Sequence, residues 1–338
     1  MKLGIAIEET WAFFNEVFDH LNEHHQMSLF KRRNVNFPFF KERTTRAVFN
    51  RDLDNFLASN EVVFFEWASE LLAEATRRPK VCGIVTRLHR YEMYQWVDHV
   101  NWEAVDKVIL VSQAKQREFT ARVPEQASKT VVIPEAVSFK KFQTKSRKFN
   151  GDIGVLCHLT PRKRVYELIL AFYEMVRMKP DLHLHIGGGA HVLFGDYYTA
   201  LHALVSSLNL KDKVTFYGNV ADPQKWFHGI DIFISNSYSE GLQVSPIEAI
   251  ASGCYCLSHR WDGADELLPA DNLYYSDHEL VDQILCYCEI PASERQKRIA
   301  DLQTLVRERF DVDQTKAQIR KVIEDVAKDY PLKAGSHS

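Results

Sequence analysis

The stretch DIFISNSYSEGLQVSPIEAIASGCYCLS, residues 231–258, places an apolar run, a polar loop, a short helical pattern and a second apolar run in succession. Pro246 suits the first turn of a helix, because its missing N–H would have no partner inside the helix. Gly253 suits the end of that helix, where glycine is the favoured residue. The stretch therefore predicts a strand, a loop, a helix and a second strand, which is the repeating unit of a parallel sheet.

The same alternation runs through the rest of the chain. Apolar runs of strand length are separated in most places by amphipathic helical patterns. In the first half these runs are LGIAI (3–7), MSLF (27–30), EVVFFE (61–66), KVCGIV (80–85), KVILV (107–111) and TVVIP (130–134). In the second half, ahead of residue 231, they are DIGVLCHL (152–159), LHLHIG (182–187) and KVTFYG (213–218).

This alternation predicts an α/β fold with two Rossmann-like, doubly wound domains, whose ligands lie in a cleft at the carboxyl ends of the strands. We assign residues 1–140 to an N-terminal domain and residues 151–300 to a C-terminal domain. The polar, basic segment FKKFQTKSRKFN (139–150) is the predicted linker. Residues 301–330 are predicted helices that are candidates to pack back on the N-terminal domain.

Composition excludes several classes of protein. The 338 residues carry a formal net charge of −3, which gives no overall attraction to nucleic acid. No apolar run approaches the roughly 20 residues that cross a bilayer, and the N-terminus has no signal-peptide pattern. The six cysteines lie in or beside apolar segments without framework spacing. These features predict a cytoplasmic protein with reduced cysteines.

The loop after residue 237 combines features of an anion site. The backbone N–H groups of Gly241, Leu242 and Gln243 lie beside a predicted helix start, where phosphate oxygens bind well. Glu240 and Glu248 flank this site with seven residues between them, and carboxylates accept hydrogen bonds from sugar hydroxyls. Two plainer interpretations stay open. Glu248 could cap the helix within Ser-Pro-Ile-Glu, and Glu240 could be a solvated loop residue.

The loop resembles the Glu-x7-Glu signature of retaining glycosyltransferases with the GT-B fold, particularly the large family 4 group. It stands here as Glu240-Gly241-Leu242-Gln243 through Glu248-Ala249 to Gly253, with Gln243 in place of the usual second glycine. The resemblance implies that Glu240 positions the donor sugar and that Glu248 holds the ribose.

A second part of the resemblance is IGVLCHLTPRKRV (153–165), which is similar to the strand, loop and helix start that bind the donor diphosphate. Lys163 falls at the expected lysine. His158 falls at the usual arginine and Cys157 at the usual glycine, while Arg162 and Arg164 could compensate. A cation at a helix N-terminus is unfavourable without an anion, which supports a phosphate-binding role for Lys163.

Two further segments extend the resemblance. LHLHIGGG with VTFYGNV is similar to the strand pair that walls the nucleotide base, and it implies backbone contacts from Gly218 and Val220. VTRLHRYEMYQWV (85–97) is similar to the segment that brings a histidine to the reacting carbon, which implies a catalytic role for His89. A lone glycine or histidine after a strand also has an ordinary structural interpretation.

The resemblance implies metal-independent transfer of a sugar, with retained configuration, from a UDP- or GDP-type nucleoside-diphosphate sugar to a hydroxyl acceptor. The acceptor could be a glycan, a lipid-linked group or a small molecule, and no cofactor is implied. The usual glycine-rich loop after the first strand is replaced by IEETWAFFNE (7–16). A degenerate protein that acts as a non-catalytic partner or nucleotide-binding subunit is the alternative, and a sugar-nucleotide epimerase is a third hypothesis.

The basic stretch LFKRRNVNFPFFKERTTRAVF (29–49) interleaves cations with phenylalanines. It could contact an anionic membrane at the inner face, bind an acidic glycan, or be a solvated face over buried rings. No nucleic-acid module accompanies it. Two Asp-x-Asp triplets (52–54 and 311–313) lie in helical patterns, so no metal site is predicted.

Overall fold

The computed structural model describes residues 1–11, 14–33, 41–144 and 148–331. The chain divides into two compact units. The first contains residues up to Glu135 and those from Val312 onward, and the second runs from Ala136 to Asp311. The two boundaries between the units therefore lie directly after Glu135 and directly after Asp311. The sequence analysis placed the first boundary between residues 140 and 151 and the second after residue 300.

The first unit is built on a parallel sheet of six strands among the described residues, in the order β2-β1-β3-β4-β5-β6. Its strands are β1 Lys2–Ala6, β2 Gln26–Leu29, β3 Val62–Phe65, β4 Gly83–Leu88, β5 Lys107–Leu110 and β6 Thr130–Val132. Every residue of β3 and β4 is buried, as expected for central strands that helices cover on both faces.

The second unit holds a parallel sheet in the order β12-β11-β10-β7-β8-β9. Its strands are β7 Asp152–Leu156, β8 His183–Gly187, β9 Val214–Gly218, β10 Ile232–Ser235, β11 Tyr255–His259 and β12 Leu273–Tyr274. The chain builds outward from β7 to one edge and then returns to β10 to build toward the other. The strand order thus reverses between β7 and β10, and the loops that leave their carboxyl ends diverge there into a crevice.

The helices connect these strands and cover both sheets. Their bounds are α1 Asn15–His24, α2 Lys41–Ala58, α3 Glu70–Thr76, α4 Arg90–Gln95, α5 Gln113–Arg122, α6 Val165–Met178, α7 Gly195–Ser207, α8 Pro223–Phe227, α9 Val244–Ala251, α10 Ala264–Leu267, α11 Asp277–Glu289, α12 Ala292–Phe310 and α13 Val312–Ala327. Of the helices described, none combines the length and the apolar character that crossing a membrane requires. The predicted fold class, two doubly wound α/β domains, is confirmed.

Adjacent residues of one strand show how the first unit is layered. Phe65 lies in an apolar cluster on one face of the sheet, and Phe64 lies in a second cluster on the other face. Side chains alternate along a strand, so both faces need cover. The cover for Phe64 includes Ile319 and Ile323 of α13, the last described helix. By contrast, α12 packs on α9 and β11 in the second unit.

Candidate functional site

In the second unit, the loops after β7 and β10 bring three predicted site residues together. Lys163 Nζ lies 2.5 Å from Glu240 Oε1, and Arg162 Nη1 lies 2.7 Å from Glu240 Oε2. The two loops are also joined through their backbones, since Tyr238 N donates to the Arg162 carbonyl at 3.2 Å. These residues are about 77 positions apart in sequence, and the strand-order reversal makes them neighbours.

Burial makes this charge cluster unusual. Lys163 is 9% exposed and Glu240 is 8% exposed. Burial would raise the pKa of the Glu240 carboxyl, but the charges of Lys163 and Arg162 outweigh it and lower the pKa below its ordinary value. Glu240 is therefore ionised and serves as the anion that the buried cation Lys163 requires.

The start of α9 adds hydrogen-bond donors to the same corner. The backbone N–H groups of Gly241, Leu242 and Gln243 have no partner within the described parts of the chain, although all three residues are buried. The Gln243 side chain fastens the loop, because it accepts from Ser235 Oγ and donates from Nε2 to Ser245 Oγ at 3.1 Å. Gln243 at the usual glycine position thus has a structural purpose.

The Glu248 carboxylate forms no hydrogen bond or ion pair with any described residue. It is the fifth residue of α9, since the helix begins at Val244, one position earlier than the sequence indicates. A capping glutamate belongs at the third helical position, which Pro246 occupies, so the capping interpretation is wrong. Burial raises the pKa of Glu248 to about 7. An unpaired, half-buried carboxyl group is a candidate to accept hydrogen bonds from a ligand.

His158 lies in the same loop as Lys163 but is exposed. Its ring is 6.4 Å from that of His191, centroid to centroid. Partial burial and then the charge of Lys163 lower its pKa, so the imidazole is neutral near pH 7. A neutral ring can still donate one hydrogen bond to a phosphate, but it lacks the charge of the arginine that the resemblance places there. Phosphate contact by His158 stays a prediction.

The loops after β7, β8 and β9 meet at two glycines that have positive φ, and one of them, Gly188, also allows a close approach. Gly218 has φ +63° and accepts a 2.7 Å hydrogen bond from the N–H of Gly188. Gly188 has φ +136°, and a Cβ atom there would lie 1.9 Å from the Cys157 carbonyl oxygen. Val220, half-buried, follows directly on this junction. The predicted backbone contacts of Gly218 and Val220 to a base stay predictions.

In the first unit, His89 follows β4 and lies inside a cluster that the sequence analysis missed. His89 Nδ1 is 2.9 Å from Glu135 Oε1, and Nε2 is 3.5 Å from Glu66 Oε1. The imidazole also stacks on Trp67 with the ring centroids 4.2 Å apart. Burial opposes the positive charge of His89, but the carboxylates of Glu135 and then Glu66 outweigh it and raise the pKa to about 10. His89 is an imidazolium ion.

Arg87 completes this cluster. It is 1% exposed and forms ion pairs with Glu66 and, at 3.4 Å, with Glu135. Two buried cations thus face two buried carboxylates, an arrangement that avoids an uncompensated charge. One sequence signal was present: Glu66 directly follows β3, and buried polar groups gather at the carboxyl ends of parallel strands.

The structure describes only part of the basic stretch 29–49. The basic stretch 29–49 includes residues 34–40, which lie outside the described residues. Within the described part, Arg32 pairs with Glu8 and Arg33 with Asp52, so part of its charge is neutralised. Membrane contact and a cytoplasmic location stay predictions.

The described part of α1 places three potential metal ligands within 4.8 Å of one another: His20, Glu23 and His24.

The chain is similar to a glycosyltransferase family model and to several solved structures. Residues 138–285 match the family model for glycosyl transferases group 1. Among solved structures, the Anabaena protein HepE in complex with UDP and glucose superposes with a TM-score of 0.77 at 20% identity, over 96% of this chain and 99% of that one. The chain has the GT-B glycosyltransferase fold. Sucrose-phosphate synthase of Thermosynechococcus elongatus gives the same TM-score at 14% identity, over 97% of this chain and 99% of that one.

Curated relatives of this GT-B chain also include glycosyltransferases. One subunit of the phosphatidylinositol N-acetylglucosaminyltransferase of Arabidopsis thaliana is 24% identical over 64% of this chain. Alpha-monoglucosyldiacylglycerol synthase of Streptococcus pneumoniae is 24% identical over 46% of it. The matches cover 51% and 38% of those two proteins, about half of their length or less.

Proposed function

We propose that this protein is a retaining glycosyltransferase that moves a sugar from a nucleoside-diphosphate sugar to a hydroxyl acceptor. The observation that carries the proposal is the convergence of Lys163, Arg162 and the unpartnered N–H groups of residues 241–243 on one corner of the second unit. Two side-chain cations and a helix start form an anion site of the kind that a pyrophosphate requires.

The Glu240 carboxylate pairs with both cations of that site. A pyrophosphate carries more negative charge than a carboxylate, so a donor would take over Lys163 and Arg162. Glu240 would then be released to accept hydrogen bonds from the hydroxyls of the donor sugar. Its carboxylate is ionised because of the same two cations, which suits acceptance of hydrogen bonds. We therefore assign Glu240 a sugar-positioning role and no role as a nucleophile.

Glu248 is the proposed ribose ligand. Ribose presents two adjacent hydroxyls, and a carboxylate without other partners can accept from both. Glu248 lies in the same short helix whose start would bind the pyrophosphate, so both parts of the nucleotide would bind to one rigid element.

The chemistry proceeds on the leaving-group face of the sugar. The bond between the anomeric carbon and the diphosphate oxygen breaks, and the acceptor oxygen forms the new bond on the same face. The acceptor proton passes to the departing phosphate oxygen. Lys163, Arg162 and the helix start stabilise the charge that develops on the diphosphate, so the proposed reaction needs no metal. A role for His89 at the reacting carbon remains a prediction from the resemblance.

Two substrate classes deserve first trial. The HepE structures contain UDP, glucose or UDP-glucose, which makes UDP-sugars the first donors to test and GDP-sugars the second. The names of the two curated relatives contain phosphatidylinositol and diacylglycerol, so a lipid-linked hydroxyl is the first acceptor class. The non-catalytic alternative is not favoured, because Lys163, Arg162 and Glu240 are assembled within one site.

The test combines binding with product analysis. UDP, GDP and their sugars are screened by thermal shift, since a ligand of the native state raises the melting temperature. The stabilising sugar nucleotide is then incubated with lipid and glycan acceptors in EDTA, and the anomer is identified by NMR. We expect stabilisation by one nucleotide class and a retained anomer. No stabilisation by any nucleotide, or an inverted product, would overturn the proposal.

A further inference from the structure

The turn that carries Lys163 ends in a left-handed residue. Arg164 has φ +50° and ψ +38° and lies between a short turn at residues 161–163 and the start of α6. Among the described non-glycine residues, only Asn209 shares a positive φ. A side chain makes this conformation unfavourable, so neighbouring contacts must hold it. Its guanidinium is itself fixed at 2.9 Å from Asp277 Oδ1.

Two buried side chains hold the backbone of this turn. Asn236 Nδ2 donates to the Arg164 carbonyl oxygen at 2.8 Å, and Tyr274 Oη donates to Asn236 Oδ1 at 2.8 Å. Asn236 is 2% exposed, and Tyr274 is fully buried. Asn236 directly follows β10, and Tyr274 ends β12. We call this pair of hydrogen bonds the Tyr274–Asn236 clamp.

The clamp differs in one respect from the ion pairs that join the two loops. The ion pairs of Glu240 with Lys163 and Arg162 are the contacts that a donor pyrophosphate would replace. The clamp involves only a phenol, an amide and a backbone carbonyl, so a change in charge partners leaves it intact. It would keep the turn in place at the moment when Lys163 changes partners.

We propose that Tyr274 and Asn236 are positioning residues that hold the left-handed turn at Arg164, and through it the adjacent Lys163, in place for the donor pyrophosphate. The inference rests on the proposed function. A pyrophosphate needs a pre-positioned cation, because binding energy spent on ordering a loop is lost from affinity. Both residues act through Lys163 and need no contact with the ligand.

The first variant is Tyr274→Phe, which keeps the buried ring and removes the hydroxyl. Asn236 Oδ1 loses its partner, the amide is free to turn, and its bond to Arg164 is weakened. We expect UDP affinity, measured by calorimetry, to fall about fivefold. Asn236→Asp, which removes the amide donor, should give a similar loss. The matched control is Tyr287→Phe, also at a buried tyrosine of the second unit, with unchanged affinity expected.

A double-mutant cycle separates positioning from general structure. Glycine adopts φ +50° without help, so in an Arg164→Gly background the clamp has little left to hold. Adding Tyr274→Phe there should change UDP affinity less than about twofold. An equal loss in both backgrounds would contradict the proposal, because it would indicate a structural role alone. Abolished binding in Arg164→Gly itself would also overturn it, since the guanidinium and not the turn would then be what UDP requires.

The wild-type protein distinguishes this inference from the proposed function. If the wild type binds neither UDP nor GDP, the proposed function fails. If the wild type binds UDP and both Tyr274→Phe and Asn236→Asp bind it equally well, the clamp fails and the proposed function stands. Should Tyr274→Phe not fold, Asn236→Asp carries the same comparison.

Discussion

Replacing Glu248 by glutamine should make the protein more stable and a poorer binder of nucleotide. Burial raises the pKa of this carboxyl to about 7, from about 4.5 for an ordinary glutamate. One pKa unit corresponds to about 1.4 kcal/mol, so ionised Glu248 destabilises the fold by about 3 kcal/mol. Glutamine keeps the shape of the side chain and has no charge to bury.

The sign of the pH dependence follows from the raised pKa. The folded protein holds the proton more tightly than the unfolded chain, so the wild type loses stability as the pH rises from about 4.5 to 7. Glu248→Gln removes this loss. At pH 8 we expect it to raise the melting temperature of the second unit by about 5 to 10 °C, and at pH 5 by much less. Calorimetry at both pH values measures the difference.

Nucleotide binding should depend on pH in the opposite direction: affinity should rise with pH, whereas stability falls. The ribose requires the ionised carboxylate, which is about one-tenth populated at pH 6 and about nine-tenths populated at pH 8. Wild-type affinity for UDP-glucose should therefore rise about tenfold across that range, while Glu248→Gln should bind more weakly and with a flat profile. UDP-glucose is preferable to UDP here because its pyrophosphate does not titrate in this interval. Equal stability of both proteins at pH 8, or equal affinity, would refute the reasoning.

Three further predictions concern neighbouring residues. Glu240→Gln should leave UDP affinity equal to or tighter than wild type, because the paired cations lose their competitor, while transfer falls by about 100-fold or more in a coupled UDP-release assay. Lys163→Met should weaken UDP binding and lower kcat by about 100-fold, and unaltered turnover would contradict its role. Gly188→Ala should lower the melting temperature markedly, because its Cβ would lie 1.9 Å from the Cys157 carbonyl oxygen. Gly195→Ala, with open space around the new Cβ, is the matched control and should change little.

Local patterns in the sequence were sufficient to predict most strands of the fold, although not the two-residue strand β12. The predicted strand MSLF (27–30) is β2, Gln26–Leu29, and the predicted strand KVTFYG (213–218) is β9, Val214–Gly218. Periodicity predicts such elements because each must bury one face, and that requirement is written into consecutive residues. The resemblance likewise indicated Lys163, Arg162 and Glu240, which the structure brings together.

Local sequence patterns could not predict contacts between residues that are distant in sequence. Glu135 lies 48 positions from Arg87, and Asn236 lies 38 positions from Tyr274. The residues of each pair meet because strands that are distant in sequence lie in the same parallel sheet, with their carboxyl ends on the same side. No local periodicity records the order of those strands.

The sequence by itself determined that the chain alternates strands and helices, and which residue types could bind a pyrophosphate. Tertiary structure alone decided the charge states of the individual site residues. Burial raises the pKa of Glu248, whereas charges supplied by other parts of the chain outweigh burial to raise the pKa of His89 and to lower the pKa of Glu240. It also decided that α13 packs in the first unit while α12 packs in the second. Both helices are charged and amphipathic, and the sheet that each one covers depends on the apolar surface left open by the rest of the fold.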